Sequence, residues 1–249
     1  MKLTAMMLTR NEASRYLKWT IPSLLSFCDE VRVIDDDSVD GTHNILRDYG
    51  CIVKRNDRPM FFEHEGRARN ALLDFALEGK PDFLFAVDAD EIVADGDAIR
   101  DALLSRTSAS GVWNLTMEEV WKADERFLYE RVDGQWGSRK CPVLFEVPAR
   151  IPSNWRIADR ALACGREPMP VAKAGVRRAP VITSLFHLGW ANQSEREARY
   201  DRYVKHDGGA FHASAHLNSI MFDDSQVGLA PREWPKGLDR EGLLERINR

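Results

Sequence analysis

The sequence predicts an α/β fold in which a mostly parallel central sheet is flanked by helices. Two observations support this prediction. Apolar runs of strand length alternate with segments of helical spacing through residues 3–87, and a short polar motif directly follows three of these runs. Strands that alternate with helices in this way form right-handed parallel crossover units.

The first 97 residues contain four predicted strands and three predicted helices. The strands are LTAMML (3–8), EVRVID (30–35), CIVKR (51–55) and FLFAV (83–87). The helices are ASRYLKWTIPSLLSFC (13–28), DGTHNILRDYG (40–50) and HEGRARNALLDFAL (64–77). Gly50 is placed where a helix commonly ends, since glycine readily takes the left-handed conformation there.

The pattern is looser after residue 97. It predicts strands at GVWNLTMEEVW (111–121), CPVLFEV (141–147) and VITSLFHLGWA (181–191), and helices at AIRDALLS (98–105), EREARYDRYVKH (195–206) and GLLERIN (242–248). Ser194 is the expected cap of the second of these helices. No linker divides the chain, so we expect one domain over 1–249, with a first half at 1–97, a more irregular second half at 98–206 and a C-terminal tail at 207–249.

The composition is that of an ordinary globular protein: 44% of the 249 residues are hydrophobic and 30% are charged. A formal charge of -4 gives no global signal for binding nucleic acid or an anionic membrane. The four cysteines are too few and too widely spaced for a disulfide framework, and they form no CxxC pair for zinc. No apolar run suits a signal peptide or a transmembrane helix, which predicts a cytoplasmic protein.

Polar motifs follow the first, second and fourth predicted strands: TRNE (9–12), DDDS (35–38) and DADE (88–91). Since ligands of open parallel sheets bind beyond the carboxyl ends of the strands, we expect these motifs to line one crevice.

The DADE motif crowds carboxylates at the end of an apolar strand. Such carboxylates are costly unless a cation or a positive ligand compensates them. Alternation along the chain places Asp88 and Asp90 on the same side, where two carboxylates suit Mn²⁺ or Mg²⁺ shared with substrate phosphates. The alternative is an acidic turn whose aspartates cap the next helix.

The segment VIDDDSVDGT (33–42) has two compatible interpretations. A carboxylate after a parallel strand commonly contacts a nucleoside, which is the role expected for Asp36. The residues from Asp40 to Thr42 favour a tight turn and a helix start.

Four motifs in this order resemble the family 2 glycosyltransferases with the GT-A fold. They are MLTRNEA (7–13), VIDDDSVDGT (33–42), GRARNALLDFA (66–76) and FAVDADE (85–91). The resemblance covers residues 3–95 well and the remainder thinly. It implies a single GT-A domain whose Rossmann-like first half binds the nucleotide and whose second half binds the acceptor.

The resemblance implies transfer of a sugar from a nucleoside-diphosphate sugar to a hydroxyl acceptor, with Mn²⁺ or Mg²⁺ as cofactor. A UDP-sugar is the favoured donor and a GDP-sugar an alternative. A saccharide or small molecule is the favoured acceptor. The arginines at 166, 177, 178, 196, 199 and 202 would suit a nucleic acid, although Glu195 and Glu197 between them favour a solvated face.

By position, the resemblance also implies roles for individual residues. The residues expected at the donor nucleotide are Thr9, Arg10, Asn11, Glu12, Asp35, Asp36, Arg69, Asp88 and Ala89. Asp90 is the expected direct metal ligand, with Asp88 beside it. Asp37 departs from the family pattern, where glycine is frequent, and is expected to point to solvent.

His187 resembles the third metal ligand of some GT-A enzymes; the alternative is a structural histidine bonded to backbone. SLFHLGWANQSE (184–195) is expected to close over the donor, with Gly189 allowing a ligand to approach, Trp190 forming a stacking wall, and the N-terminus of the next helix beside the diphosphate.

An inverting transfer needs a carboxylate that deprotonates the acceptor hydroxyl. Asp159 is the first candidate, with Glu118 and Glu119 as competitors, whereas a retaining enzyme needs no such base. Two other functions remain open. A sugar nucleotidyltransferase normally has a glycine-rich phosphate loop, which TRNEASRYL (9–17) lacks. A non-catalytic nucleotide-sugar-binding protein is the third class.

Overall fold

The computed structural model describes residues 1–161, 164–173, 175–207 and 214–248. Within these residues, ten strands belong to one mixed sheet. The strands are β1 (Leu3–Thr9), β2 (Glu30–Asp35), β3 (Ile52–Arg55), β4 (Phe83–Ala86), β5 (Glu91–Val93), β6 (Val112–Ala123), β7 (Leu128–Arg131), β8 (Arg139–Glu146), β9 (Ala179–His187) and β10 (Leu229–Arg232). The helices are α1 (Leu17–Leu25), α2 (Thr42–Asp48), α3 (Glu65–Leu77), α4 (Gly96–Leu104), α5 (Met169–Ala172), α6 (Gln193–Asp207), α7 (Ser214–Ser219) and α8 (Arg240–Asn248).

The sheet changes character between its two halves. Strands β3, β2, β1 and β4 lie side by side and are parallel. Strand β8 then pairs antiparallel with β4, followed by β6, β7 and β10, which are antiparallel in turn. Strand β9 runs parallel to β6 and antiparallel to β5. The predicted α/β class, with its parallel first half, is confirmed.

Helices cover both faces of the parallel strands. Alternate residues of β1 face opposite sides: Met7 packs in a cluster with Ile21 of α1, and Met6 packs in a second cluster with Leu72 of α3. Because both faces are buried, the strand reads as a continuous apolar run and not as an alternating one.

The C-terminal segment packs against the rest of the fold. Strand β10 pairs with β7, and Leu243 and Ile247 of α8 are buried against Tyr16 and Trp19 near the start of α1. This segment is more ordered than the predicted tail. The division of the chain into functional halves stays a prediction.

The sequence pattern missed five short elements, namely β5, β7, β10, α5 and α7. It also placed the cap of α6 incorrectly, since the oxygen that caps this helix belongs to Asn192. Asn192 Oδ1 accepts a hydrogen bond from the Glu195 amide at 3.1 Å and another from the Ser194 hydroxyl at 2.6 Å. The Ser194 hydroxyl is therefore used as a donor. None of the helices in the described ranges is long and apolar enough to cross a membrane.

Candidate active site

The loops that follow β1 and β2 are joined by hydrogen bonds. The Asn11 amide donates to Ser38 Oγ and the Val39 amide donates to Asn11 Oδ1, both at 2.9 Å. The Glu12 amide donates to Thr42 Oγ1 at 2.7 Å. The first two predicted motifs therefore form one rigid edge beside the end of β1.

Asp36 holds a third loop against this edge. Its carboxylate is buried and accepts three hydrogen bonds, from Asn56 Nδ2 at 2.7 Å and from the amides of Met60 and Phe61 at 2.8 and 2.9 Å. The structure therefore gives Asp36 a role in anchoring residues 56–61. Direct contact between Asp36 and a nucleoside stays a prediction.

The anchored loop carries two aromatic rings to the predicted site. The Arg69 guanidinium lies 5.4 Å from the Phe61 ring centroid, and the Arg10 guanidinium lies 5.8 Å from that of Phe62. The Phe62 side chain is 44% exposed. The exposed Phe62 ring beside the Arg10 guanidinium suits stacking on a planar ligand, whereas Arg69 is buried.

Three other predicted nucleotide residues are engaged with the fold. Asp35 is buried, and its Oδ1 accepts the Ser38 amide at 3.1 Å. The side chain of Thr9 is also buried, in register with Asp35. The Glu12 carboxylate pairs with Arg15 at 2.5 Å, and burial raises the pKa of Glu12 to about 7 in spite of that arginine.

Asp37 adopts a backbone conformation that favours glycine. Its φ of 60° lies in the left-handed region, which glycine adopts without strain. Its carboxylate is partly exposed and lies 3.8 Å from Arg55 Nη2.

Asp88 lies between two arginines. Its Oδ1 is 3.5 Å from Arg69 Nη1, and its Oδ2 is 3.6 Å from Arg166 Nη1, which also pairs with Glu91 at 2.5 Å. Burial alone would raise the pKa of Asp88, but the two guanidiniums outweigh it and hold the pKa below its ordinary value. Ala89 continues the motif, and its carbonyl accepts the Thr20 hydroxyl at 2.9 Å.

Asp90 has a separate set of cations. Its Oδ2 accepts a hydrogen bond from Arg199 Nη2 at 2.8 Å and lies 3.5 Å from His187 Nε2 and 3.9 Å from Arg15 Nη2. These positive groups outweigh burial and hold the pKa of Asp90 well below its ordinary range. A Cβ at Gly189 would lie 2.3 Å from Arg199 Nη2 and 2.6 Å from Asp90 Oδ2, so this glycine makes room for the ion pair.

His187 is held between two carboxylates. Its Nδ1 lies 2.5 Å from Glu119 Oε2, while Nε2 is directed toward Asp90. Burial would lower the pKa of His187, but Glu119 and Asp90 outweigh it and raise the pKa to about 10. Arg139 forms an ion pair with the other oxygen of Glu119.

The predicted metal triad is only partly assembled. In the described part of the chain, no three His, Cys, Asp or Glu side chains are grouped to hold a metal ion. Asp88 faces Arg69 and Arg166, so its prediction as a metal ligand is not supported by the arrangement. Asp90 and His187 do face each other, and a carboxylate with an imidazole is a donor pair that fits Mn²⁺. Such ions take their remaining ligands from substrate phosphates and water.

Asp159 lies on a segment fastened to α3. The side chain of Asn70 binds both backbone groups of Ile157, at 2.9 Å each. A Cβ at Gly66 would lie only 2.4 Å from the Ala158 carbonyl oxygen, so the two backbones are in close contact. Asp159 itself is 72% exposed and lies 3.5 Å from His64 Nε2.

The competing candidate bases have other partners. Glu118 pairs with Arg232 at 2.9 Å and accepts the Ser184 hydroxyl at 2.6 Å, and Glu119 is bound to His187 and Arg139.

Arg196 and Arg199 of α6 do not lie on the expected solvated face, whereas Glu197 is exposed. Arg196 is buried and donates to the carbonyls of Trp121 and Trp190, at 2.9 and 2.7 Å. Trp190 packs on Trp136 and under Arg199, so it is a core residue and not an open stacking wall.

The N-terminus of α6 was also expected beside the diphosphate, and this stays a prediction. Glu195 in its first turn pairs with Arg15 and with Arg246 of α8. The helix contacts DADE through Arg199, in its second turn. Sequence reasoning missed the roles of Arg15, Arg139 and Arg199, and only the repeated arginine spacing on α6 hinted at one of them.

Residues 4–104 match the family model described as Glycosyl transferase family 2. The resemblance to family 2 is confirmed. Over 220 residues the chain is 28% identical to the uncharacterized protein Rv3786c of Mycobacterium tuberculosis and to Mb3815c of Mycobacterium bovis, covering 83% of this chain and 51% of either relative. The chain thus spans about half the length of the curated relatives it matches.

The fold is also similar to that of a solved structure, S. aureus TarS residues 1–349. The TM-score is 0.54 at 18% identity, covering 89% of this chain and 69% of that one. For the same protein in complex with UDP-GlcNAc the TM-score is 0.53 at 17% identity, with coverage of 89% and 70%. The likeness confirms the GT-A architecture.

Proposed function

We propose that the chain transfers a sugar from a nucleoside-diphosphate sugar, with a UDP-sugar favoured, to a hydroxyl acceptor. The observation that carries this proposal is the DADE motif of the family 2 match, which follows β4 and is surrounded by Arg69, Arg166, Arg199 and His187.

The chain's own residues account for binding of the donor diphosphate. Arg69, Arg166 and Arg199 bring three guanidiniums to one carboxylate pair, where they keep Asp88 and Asp90 ionised. A diphosphate beside these guanidiniums would form ion pairs with them, because the guanidinium group is well suited to binding phosphate oxygens. The exposed Phe62 ring, next to the loop anchored by Asp36, supplies an apolar face for the base, and the Phe61 ring stands perpendicular to it.

We propose that Asp90 and His187 hold Mn²⁺ or Mg²⁺, as two protein ligands of the cation. When bound, such an ion would stabilise negative charge on the departing diphosphate. Asp88 is assigned to the arginine pair and not to the ion.

For an inverting transfer, Asp159 is the proposed base. Its exposure leaves the carboxylate accessible to an acceptor, and its backbone is fixed by Asn70 and Gly66 on the helix that carries Arg69. The acceptor hydroxyl would give its proton to Asp159 as its oxygen bonds to the anomeric carbon. The bond from that carbon to the phosphate oxygen breaks, and the nucleoside diphosphate leaves.

UDP is favoured because a structure similar in fold was solved in complex with UDP-GlcNAc.

The test is a panel of UDP- and GDP-sugars incubated with the protein, Mn²⁺ and candidate saccharide acceptors, scored by release of nucleoside diphosphate. We expect release with UDP-sugars, and its loss in Asp90→Asn and in excess EDTA. Tight binding of a nucleotide sugar without turnover of any panel member would favour a non-catalytic binding protein. Formation of nucleotide sugar from a sugar phosphate and UTP would instead show a nucleotidyltransferase.

A further inference from the structure

We propose that Glu119 is a positioning residue that fixes the His187 ring with Nε2 toward Asp90, and thereby sets the affinity of this pair for a divalent cation. The inference rests on the proposed function, because it assigns a role within the same cation site.

The fold places Glu119 for this purpose. Glu119 of β6 is the register partner of His187 of β9 in a parallel strand pair, and Glu119 is 4% exposed. Its Oε2 contacts His187 Nδ1 at 2.5 Å, and Arg139 binds its Oε1. The carboxylate is thus held at both oxygens, which leaves it little freedom to release the ring.

The contact between Glu119 and His187 determines which nitrogen of the imidazole can bind a cation. When a cation takes the place of the Nε2 proton, a carboxylate that accepts the Nδ1 proton holds the ring with Nε2 as the ligating atom. His187 Nε2 is the nitrogen that faces Asp90, at 3.5 Å. The Trp190 ring stands edge-on to the imidazole, with centroids 6.0 Å apart and planes at 87°, and limits rotation of the ring from another side.

The neighbouring glutamate supplies a matched control. Glu118 is equally buried in the same strand, but its carboxylate binds Ser184 and Arg232 and does not contact His187. A general effect of removing a buried carboxylate from β6 would therefore affect both residues. An effect through the imidazole would be confined to Glu119.

The experiment measures Mn²⁺ affinity of the nucleotide-free protein by isothermal titration calorimetry and by electron paramagnetic resonance of free Mn²⁺. Loss of a residue that orients a metal ligand commonly weakens affinity 10–100-fold. We expect a loss of about that size for Glu119→Ala, and a smaller one for Glu119→Gln, whose amide oxygen still accepts from Nδ1. Glu118→Gln should bind Mn²⁺ as the wild type does.

The outcomes separate this inference from the proposed function. If His187→Ala loses Mn²⁺ affinity while Glu119→Ala and Glu119→Gln keep it, the positioning role is overturned and the cation site stands. If Asp90→Asn and His187→Ala both bind Mn²⁺ normally, the cation site itself is wrong. If Glu119→Ala does not fold, the Mn²⁺ affinity of Glu119→Gln decides the question, and wild-type affinity in that variant contradicts the inference.

Normal Mn²⁺ binding by Glu119→Gln together with lost turnover would also contradict the positioning role, and would make Glu119 a candidate base instead.

Discussion

The first 97 residues and the remainder of the chain supply the candidate site in different ways. The first part contributes contiguous motifs, each directly after a parallel strand, and these carry most of the carboxylates. The second part contributes single residues far apart in the chain: Arg166 before α5, His187 at the end of β9 and Arg199 in α6. The acids of the first part and Arg69 can therefore be recognised from motifs, whereas Arg166 and Arg199 lie outside any motif.

The difference follows from topology. Parallel crossover units bring the carboxyl ends of their strands to one edge, so a motif after each strand is enough to build half of a site. The second half reaches the same edge through antiparallel strands and a helix, and its side chains meet DADE only through tertiary packing.

The largest expected effect comes from Asp90→Asn, which removes the charge that joins the two halves. We expect turnover to fall below detection. The variant should also unfold more easily, by about 3–5 kcal/mol, because Arg199 and His187 lose the carboxylate that compensates them in a buried setting. Assays of nucleoside diphosphate release and denaturant unfolding check both. An active variant of wild-type stability would contradict the joining role of Asp90.

Asp36→Ala is expected to perturb the first half alone. It leaves Asn56 and the amides of Met60 and Phe61 without their acceptor, and a buried donor left unpaired costs about 1–3 kcal/mol. We expect faster proteolysis within residues 56–64 and weaker UDP binding. Asp37→Asn is the control, since its partly exposed carboxylate holds no such loop. Equal proteolysis of both variants would separate Asp36 from the loop.

Gly66→Ala tests the contact between the two halves of the chain. At this contact, α3 packs against the segment that carries Asp159. Alanine favours a helix by up to about 1 kcal/mol over glycine. Its methyl group, however, would meet the backbone of residues 158 and 160 at under 3 Å, and overpacking typically costs about 1–3 kcal/mol. We expect a net loss of thermal stability and of turnover. Gly41→Ala, whose Cβ would find its nearest neighbour at 3.8 Å, should change stability little. A Gly66→Ala variant of higher thermal stability than wild type would show that α3 and residues 158–160 can accommodate the methyl group, which would contradict the close contact.

The smallest effect concerns acid stability of the second half. Asp133 accepts two hydrogen bonds from the buried Arg131, which hold the pKa of Asp133 below its ordinary value. Because the folded-state pKa is depressed, this stabilisation is complete above pH 3.8 and is lost as the pH falls through the folded-state pKa. We expect Asp133→Asn to be about 1 kcal/mol less stable than wild type at pH 7, with the difference vanishing once the pH has fallen below the folded-state pKa. A difference that stays constant with pH would exclude the ion pair as its cause.

Sequence reasoning succeeded where periodicity and chain order determine the structure. It located β1–β4, α1–α3 and the convergence of the polar motifs, because helix–strand alternation leaves few topologies. It placed His187 at a strand end but could not find its partner, since the pairing of Glu119 with His187 depends on the register between β6 and β9. It predicted that Gly189 lets a ligand approach. In the structure, the space beside Gly189 is filled by Arg199, on a helix that begins four residues later.

The most direct test is a crystal structure with Mn²⁺ and UDP, with data collected at the manganese absorption edge. The account predicts one anomalous peak at about 2.0–2.3 Å from both an Asp90 oxygen and His187 Nε2, with the diphosphate near Arg69, Arg166 and Arg199. A peak bound by Asp88 and Asp90 while His187 stays beyond ligand distance would contradict it, because the second half would then add no ligand to the cation.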